Sequence, residues 1–118
     1  MNDKLRIAVV GVGYLGRFHA LIYSRMPGVD LVGVMDTDAE RARSVAAEAD
    51  CASYANANEL LDRVDAVSIV VPTTYHLSVA TPFLERGIHM LMEKPIAVTR
   101  EEGEALVGLA ERSGAVLQ

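Results

Sequence analysis

The chain has no tryptophan, only two phenylalanines and four tyrosines, so whatever core its 118 residues build must be aliphatic. It has one cysteine, Cys51, which excludes an internal disulfide, and no second cysteine or close histidine pair offers metal-ligand spacing. Cys51 reads as a small buried hydrophobe in a short strand. Runs of lysine and arginine are missing, and 11 basic against 16 acidic residues leave a formal charge of −5. The electrostatic footprint of a nucleic-acid binder is therefore lacking, and DNA, RNA and anionic membranes are not expected partners. Long apolar runs are missing too: residues 7–16 form the longest unbroken apolar or glycine stretch, well short of the roughly 18 residues a spanning helix needs. Asp3 precedes that stretch, three glycines interrupt it and no small-residue cleavage site follows, unlike a secretory signal. These absences point to a cytoplasmic protein.

What is present is a globular composition, 51% hydrophobic and 23% charged, at the length of one domain and without linker-like, repeated or low-complexity tracts. Apolar runs alternate with helix-period stretches from end to end, which argues for βαβ units around a parallel sheet. Residues 5–10 read as a buried strand. Leu15, Phe18, Ile22 and Met26 then recur at helical spacing until Pro27-Gly28 stops the helix. Residues 31–35 form a second strand. Asp38 reads as an N-cap for a helix whose stripe of Ala39, Ala42, Ala46 and Ala49 can lie close on a sheet. A weak strand follows at 51–53. Asn56 and Glu59 resemble a capping box opening a short helix that ends near Asp62.

Residues 66–71 are continuously apolar apart from Ser68, as a strand covered on both faces requires, so this strand is expected to be central. The helix over 74–86 ends at Gly87, with a kink or late restart expected at Pro82. Residues 88–92 form a fifth strand. Thr99 and Glu102 make a second capping box, Glu101, Glu102 and Glu104 crowd the positive end of that helix, and Gly114 closes it. Residues 115–117 begin another strand.

Three loops carry chemistry. Gly11-Val12-Gly13-Tyr14-Leu15-Gly16 is a G-x-G-x-x-G string that follows a predicted strand and opens a helix. There Gly11 would turn the chain, Gly13 would let the backbone approach a pyrophosphate, and Gly16 would let helix and strand pack closely, with phosphate charge on the helix N-terminus. Asp36 lies 20 residues beyond Gly16 at the end of the second strand, where a carboxylate can bond the adenine ribose hydroxyls. That favours NAD, since a 2′-phosphate would meet Asp36 and Asp38, with Arg41 as the nearest cation. Pro72-Thr73-Thr74-Tyr75-His76 follows the best strand, at the sheet edge where parallel sheets bind ligands. His76 could donate to a ribose or carboxamide from there. Glu93-Lys94-Pro95 ends the fifth strand on the same edge, and a lysine beside a carbonyl being reduced can donate or accept the proton. His19 reads as a packing or supporting histidine, and His89 as structural.

The glycine loop with His19 after it, Asp36, the Pro72-x-x-x-His76 loop and Glu93-Lys94-Pro95 together resemble the N-terminal domain of the glucose-fructose oxidoreductase and inositol dehydrogenase family, Gfo/Idh/MocA. The resemblance spans essentially the whole chain, and the Glu-Lys-Pro tripeptide at this distance is its most specific part. It implies an α/β Rossmann fold, a doubly wound parallel sheet with helices on both faces, binding a pyridine nucleotide. The activity it implies is oxidation or reduction of a sugar, nucleotide sugar or cyclitol hydroxyl, with Lys94 near the nicotinamide and substrate. It also points to a cis Lys94–Pro95 peptide. Members more often carry Asn where this chain has Thr73, which leaves backbone contact as that residue's role. The Val71-Pro72-Thr73 form is similar to members acting on nucleotide sugars.

The expected cofactor-binding set is thus Gly11, Gly13, Tyr14, Leu15, Gly16, Asp36, Pro72, Thr73, His76, Glu93 and Lys94, with Lys94 also catalytic and no metal. Members of the family continue into a second α/β domain that covers the nicotinamide. Residues 1–118 are therefore expected to form the dinucleotide-binding domain alone, inactive by itself, taking a sugar-like substrate in the full enzyme and self-associating through an open sheet edge. The alternatives are a non-catalytic dinucleotide module or subunit completed by a partner, and a transferase using S-adenosylmethionine. The transferase would leave Lys94 and the Pro72 loop without a role.

Overall fold

The computed structural model describes residues 4–118. Its elements alternate along the chain: β1 (Leu5–Val10), α1 (Tyr14–Arg25), β2 (Val29–Met35), α2 (Ala39–Ala49), β3 (Ala52–Tyr54), β4 (Ala66–Ile69), α3 (His76–Glu85), β5 (His89–Met92) and α4 (Arg100–Ser113). The five strands are all parallel, in the order β3-β2-β1-β4-β5. Leu117 pairs in parallel with Met90, so the last residues open a sixth position beside β5. Each strand-to-strand step returns through a helix or turn, which is the Rossmann arrangement expected from the alternation.

Alternate residues of the sheet feed two cores. Val9, Val12 and Val34 pack with Ala20 of α1 and Val45, Ala46 and Ala49 of α2. Ala8, Val10, Val67 and Ile69 pack with Ala80, Phe83 and Leu84 of α3 and Leu106 and Ala110 of α4. Helices therefore cover both faces, and β4 is buried at all four of its residues, as a doubly covered central strand must be. The order reverses between β1 and β4, which sit side by side with Val10 opposite Ile69. The loops after these two strands lead to helices on opposite faces and leave a crevice between them.

Several local expectations are revised. The spacing of Leu15, Phe18, Ile22 and Met26 leaves the inward face of α1 open, and in the structure these four are exposed while the buried face is Gly16 and Ala20. Small residues let this helix lie close, and the large ones are left outside. Ala39 is exposed as well, and Val45 takes its place beside Ala42, Ala46 and Ala49. Asn56 does cap, but it accepts from Asn58 N–H and opens a 3₁₀ turn, Ala57–Leu60. The segment after Pro72 is likewise a 3₁₀ turn, Thr73–Tyr75, and α3 begins only at His76 and continues through Pro82 without restarting. The caps at Asp38 and Thr99 are made, to Arg41 N–H and Glu102 N–H, and Gly87 and Gly114 adopt the left-handed conformation that ends a helix.

Candidate functional site

The loop after β1 is fixed by what its glycines exclude. Gly11 has φ +93° and donates its N–H to Met35 O at 2.8 Å; a Cβ there would lie 2.4 Å from Val70 O. A Cβ on Gly16 would lie 1.8 Å from Gly11 O, so α1 can approach the loop only with hydrogen at that position. Gly13, the N-cap of α1, differs: its φ is −67° and nothing lies within 4 Å of its Cβ position. A side chain there would fill open space beside the helix N-terminus. The N–H groups of Tyr14, Leu15 and Gly16 precede the first helical bond, from Arg17 N–H to Gly13 O at 2.9 Å, and so are free of helical partners. Arg17 also pairs with Glu48 of α2, and its hydrogen bonds hold that carboxyl below the usual carboxylate range.

Asp36 stands at the end of β2 and is 8% exposed. Its Oδ2 accepts from Val12 N–H and its Oδ1 from Asp38 N–H, both at 2.9 Å, so the carboxylate ties the glycine loop to the start of α2. Each oxygen keeps a lone pair for a further donor. Arg41, one helical turn on, lies 3.7 Å from Asp36 and 3.9 Å from Asp38. Asp36, Thr37 and Arg41 line a cleft of about 640 Å³ whose other walls include Met35, Ala57, Tyr75 and Val79. A carboxylate beside apolar walls suits a nucleoside, with hydroxyls at one side and a flat base at the other.

A second cleft of about 370 Å³ continues from the first, sharing Gly13, Val70, Val71 and Pro72 with it. It runs from Tyr14, Leu15 and Gly16 past Thr73 and His76 to Glu93 and Lys94. Glu93 is half-buried and lies 3.7 Å from His19 of α1, while Lys94 is exposed and joined to Pro95 by a cis peptide. His19 rests edge-on against Tyr23, whose hydroxyl meets Ser68 Oγ of β4 at 2.6 Å. The Glu-Lys-Pro turn is thus braced on α1, and α1 on the central strand.

Every residue of the expected set therefore lies along one continuous crevice. His76 is there in a different capacity from the one expected. It is 1% exposed, and its ring nitrogens are taken up by Ile96 O and Val71 O, so it does not offer a free donor to a ribose or carboxamide. Tyr14 borders the crevice with an 80% exposed side chain packed edge-on against Phe18. Thr37 and Val79 are not marked by any motif in the sequence, Tyr75 is marked only as part of the Pro72 loop, and Arg41 only as the nearest cation for a 2′-phosphate. Tyr75 and Val79 carried a usable signal, because Tyr75 lies inside the Pro72-Thr73-Thr74-Tyr75-His76 loop and Val79 follows it by four residues. Among the described residues, no group of three His, Cys, Asp or Glu could hold a metal ion. No helix among them is long and apolar enough to cross a membrane.

Residues 5–118 match the family Gfo/Idh/MocA, described as an oxidoreductase family with an NAD-binding Rossmann fold. The chain belongs to that family. It is 47% identical over 113 residues to UDP-N-acetylglucosamine 3-dehydrogenase from Acidithiobacillus ferrooxidans, covering 96% of this chain and 36% of that protein. The solved structure of that enzyme, GnnA, superposes with TM-score 0.91 at 44% identity over 97% of this chain and 38% of its own. GenD2 from gentamicin A biosynthesis, solved in complex with NAD, gives TM-score 0.93 at 30% identity over 98% of this chain and 34% of its own. The chain thus spans about a third of the length of these family members. It is an NAD-binding domain of the Gfo/Idh/MocA type, and its crevice suits the cofactor: the open space at Gly13 leaves room for a pyrophosphate against the N-terminus of α1, with Asp36 at the nucleoside end.

Proposed function

We propose that this domain holds NAD for a dehydrogenase acting on a sugar hydroxyl, with a nucleotide sugar as the substrate class. When bound, NAD supplies hydride transfer at the nicotinamide. The chain's residues do the rest: the α1 N-terminus receives the pyrophosphate, Asp36 accepts from the ribose hydroxyls, and Lys94 gives or takes the proton of the reacting hydroxyl. One observation carries this reading, the exposed Lys94 at the end of the same crevice that begins at Asp36 and passes the glycine loop. The nucleotide-sugar class is supported by the 47% identity to a UDP-N-acetylglucosamine 3-dehydrogenase and by the Val71-Pro72-Thr73 loop.

Calorimetric titration of the 118-residue chain with NAD⁺ and NADP⁺ tests the reading. NAD⁺ is expected to bind more tightly, because a 2′-phosphate would be driven toward the Asp36 carboxylate, and Asp36→Ala is expected to narrow the difference. Tighter binding of NADP⁺ by the unaltered chain would overturn the role given to Asp36. Since relatives are about three times as long, the domain is expected to bind without turnover; sugar-dependent reduction of NAD⁺ at an enzyme-like rate by this chain would refute that. We also infer self-association through the open sheet edge beside β5, where Leu117 pairs with Met90, which sedimentation as a clean monomer would contradict. A free cysteine without a disulfide partner supports a reducing, cytoplasmic setting.

A further inference from the structure

Three charged side chains meet where β2 leads into α2. Asp36 lines the nucleoside cleft and Asp38 caps α2, while Arg41 borders both that cleft and an outer one of about 590 Å³ between α1 and α2. The fork of Arg41 is divided between the two acids: Nη1 lies 3.7 Å from Asp36 Oδ2, and Nη2 lies 3.9 Å from Asp38 Oδ2. Both are charge contacts too long for hydrogen bonds, so the guanidinium is held by attraction while its N–H groups stay open to a better acceptor. Arg17, in the same outer cleft, is engaged differently, giving Glu48 two hydrogen bonds at 2.9 and 2.6 Å. Two carboxylates against one guanidinium leave the Asp36, Asp38 and Arg41 corner with a negative charge uncompensated, and Glu40 lines the outer cleft beside it.

The two acids do different work. Asp36 is buried, and its oxygens also accept from Val12 N–H and Asp38 N–H, so it holds the glycine loop in place. Asp38 is exposed, and its side chain accepts from Arg41 N–H at 3.1 Å as the helix cap, a bond that asparagine makes equally well. A ribose whose hydroxyls bond Asp36 sets its 2′ position near Asp36 Oδ2, and therefore near Arg41. We propose that Arg41 is a masked site for an adenosine 2′-phosphate and that Asp38 is the mask: its carboxylate offsets the guanidinium charge and draws Nη2 aside. NADP is then rejected twice, by repulsion from Asp36 and by the loss of its cation to Asp38. The proposal rests on the reading that Asp36 holds the ribose of NAD. What it adds is that cofactor choice can be changed without touching Asp36.

The test is a double-mutant cycle on the 118-residue chain: the parent, Asp38→Asn, Arg41→Ala and the pair, each titrated calorimetrically with NAD⁺ and NADP⁺ at 0.15 M salt. Asparagine keeps the cap, and alanine suits an exposed helical position, so all four chains are expected to fold. The quantity read is the ratio of the NADP⁺ and NAD⁺ dissociation constants. A general weakening of the fold leaves that ratio alone, because the two nucleotides differ only in the 2′-phosphate. Asp38→Asn is expected to shift it toward NADP⁺ by about tenfold or more, the scale of one charge-assisted hydrogen bond from the freed Arg41. With Arg41→Ala already present, the same change should shift it by no more than about threefold, since water and salt screen the exposed Asp38 charge. An equal shift in both backgrounds would mean that Asp38 acts by its own charge, and would overturn the masked site. NAD⁺ binding by the parent with no shift in Asp38→Asn would overturn it too, leaving the NAD reading in place. Absence of binding of either nucleotide by all four chains would fail that reading and the masked site with it.

Discussion

Gly13→Ala separates the part of the glycine loop that folds the chain from the part that binds. The backbone at Gly13 has φ −67°, which alanine adopts freely, and a Cβ there meets no atom within 4 Å. Two opposed effects on stability remain. Reduced freedom of the unfolded chain stabilises by about 0.4–1 kcal/mol. Alanine is poorer than glycine at an N-cap by roughly the same amount. The melting temperature should therefore stay within about 5 °C of the parent, given a shift of several degrees per kcal/mol for a domain of this size. Binding should behave otherwise. A methyl group in the open space at Gly13, beside the α1 N-terminus, pushes a pyrophosphate away from the N–H groups of Tyr14, Leu15 and Gly16. Loss of even one such charge-assisted hydrogen bond, about 1.5–3 kcal/mol, weakens binding about tenfold to a hundredfold. Thermal unfolding by circular dichroism with NAD⁺ titration of the same sample reads both quantities. A variant that binds NAD⁺ like the parent would refute the placement of the pyrophosphate, and one that fails to fold would refute the steric reading of Gly13.

Gly16→Ala should do the reverse: its Cβ would lie 1.8 Å from Gly11 O, so α1 must shift bodily, and denaturant unfolding should reveal a loss of about 3 kcal/mol or more. A melting temperature equal to the parent's would contradict this. Asp65 accepts from the Arg6 side chain and from its backbone N–H, and these bonds hold its carboxyl below the usual range in the folded state. The depressed value means that its stabilisation is complete above the unfolded value, about pH 4, and fades as pH falls through the folded one. Because both side chains are more than a third exposed, Asp65→Asn should lower the melting temperature by no more than about 5 °C at pH 7, and the gap should close toward pH 2. A gap that widened in acid would reverse the sign of the argument. Burial, helped by the Asp50 charge, pushes the Cys51 thiol up to about 11, so iodoacetamide at pH 8 should alkylate it about a hundredfold more slowly than an open thiol until urea unfolds the chain. Alkylation of the folded chain at the free-thiol rate would be the contrary result.

The sequence was legible where a residue type is demanded by the backbone beside it. Gly11 and Gly16 answer to contacts that no side chain could share, and Asp36 follows from the length of one βαβ step, so spacing along the chain was enough to find them. The partners of His76 were not legible, because Val71 and Ile96 reach it from loops that meet only in the fold. The face that α1 turns to the sheet was not legible for a related reason. Periodicity reveals that Leu15, Phe18, Ile22 and Met26 share a side of a helix, but not which side meets the sheet. Distance decides that. The free N–H groups at the start of α1 can reach the crevice only if the helix lies almost on β1 and β4, and the Gly16 contact with Gly11 O leaves no room there for a leucine or phenylalanine. Large residues on the inner face would lift the helix and carry its N-terminus away from Gly13. The exposed apolar stripe and the anion site are thus two results of the same close approach, and a variant that moved bulk from the outer face to Ala20 would lose the site before it lost the helix.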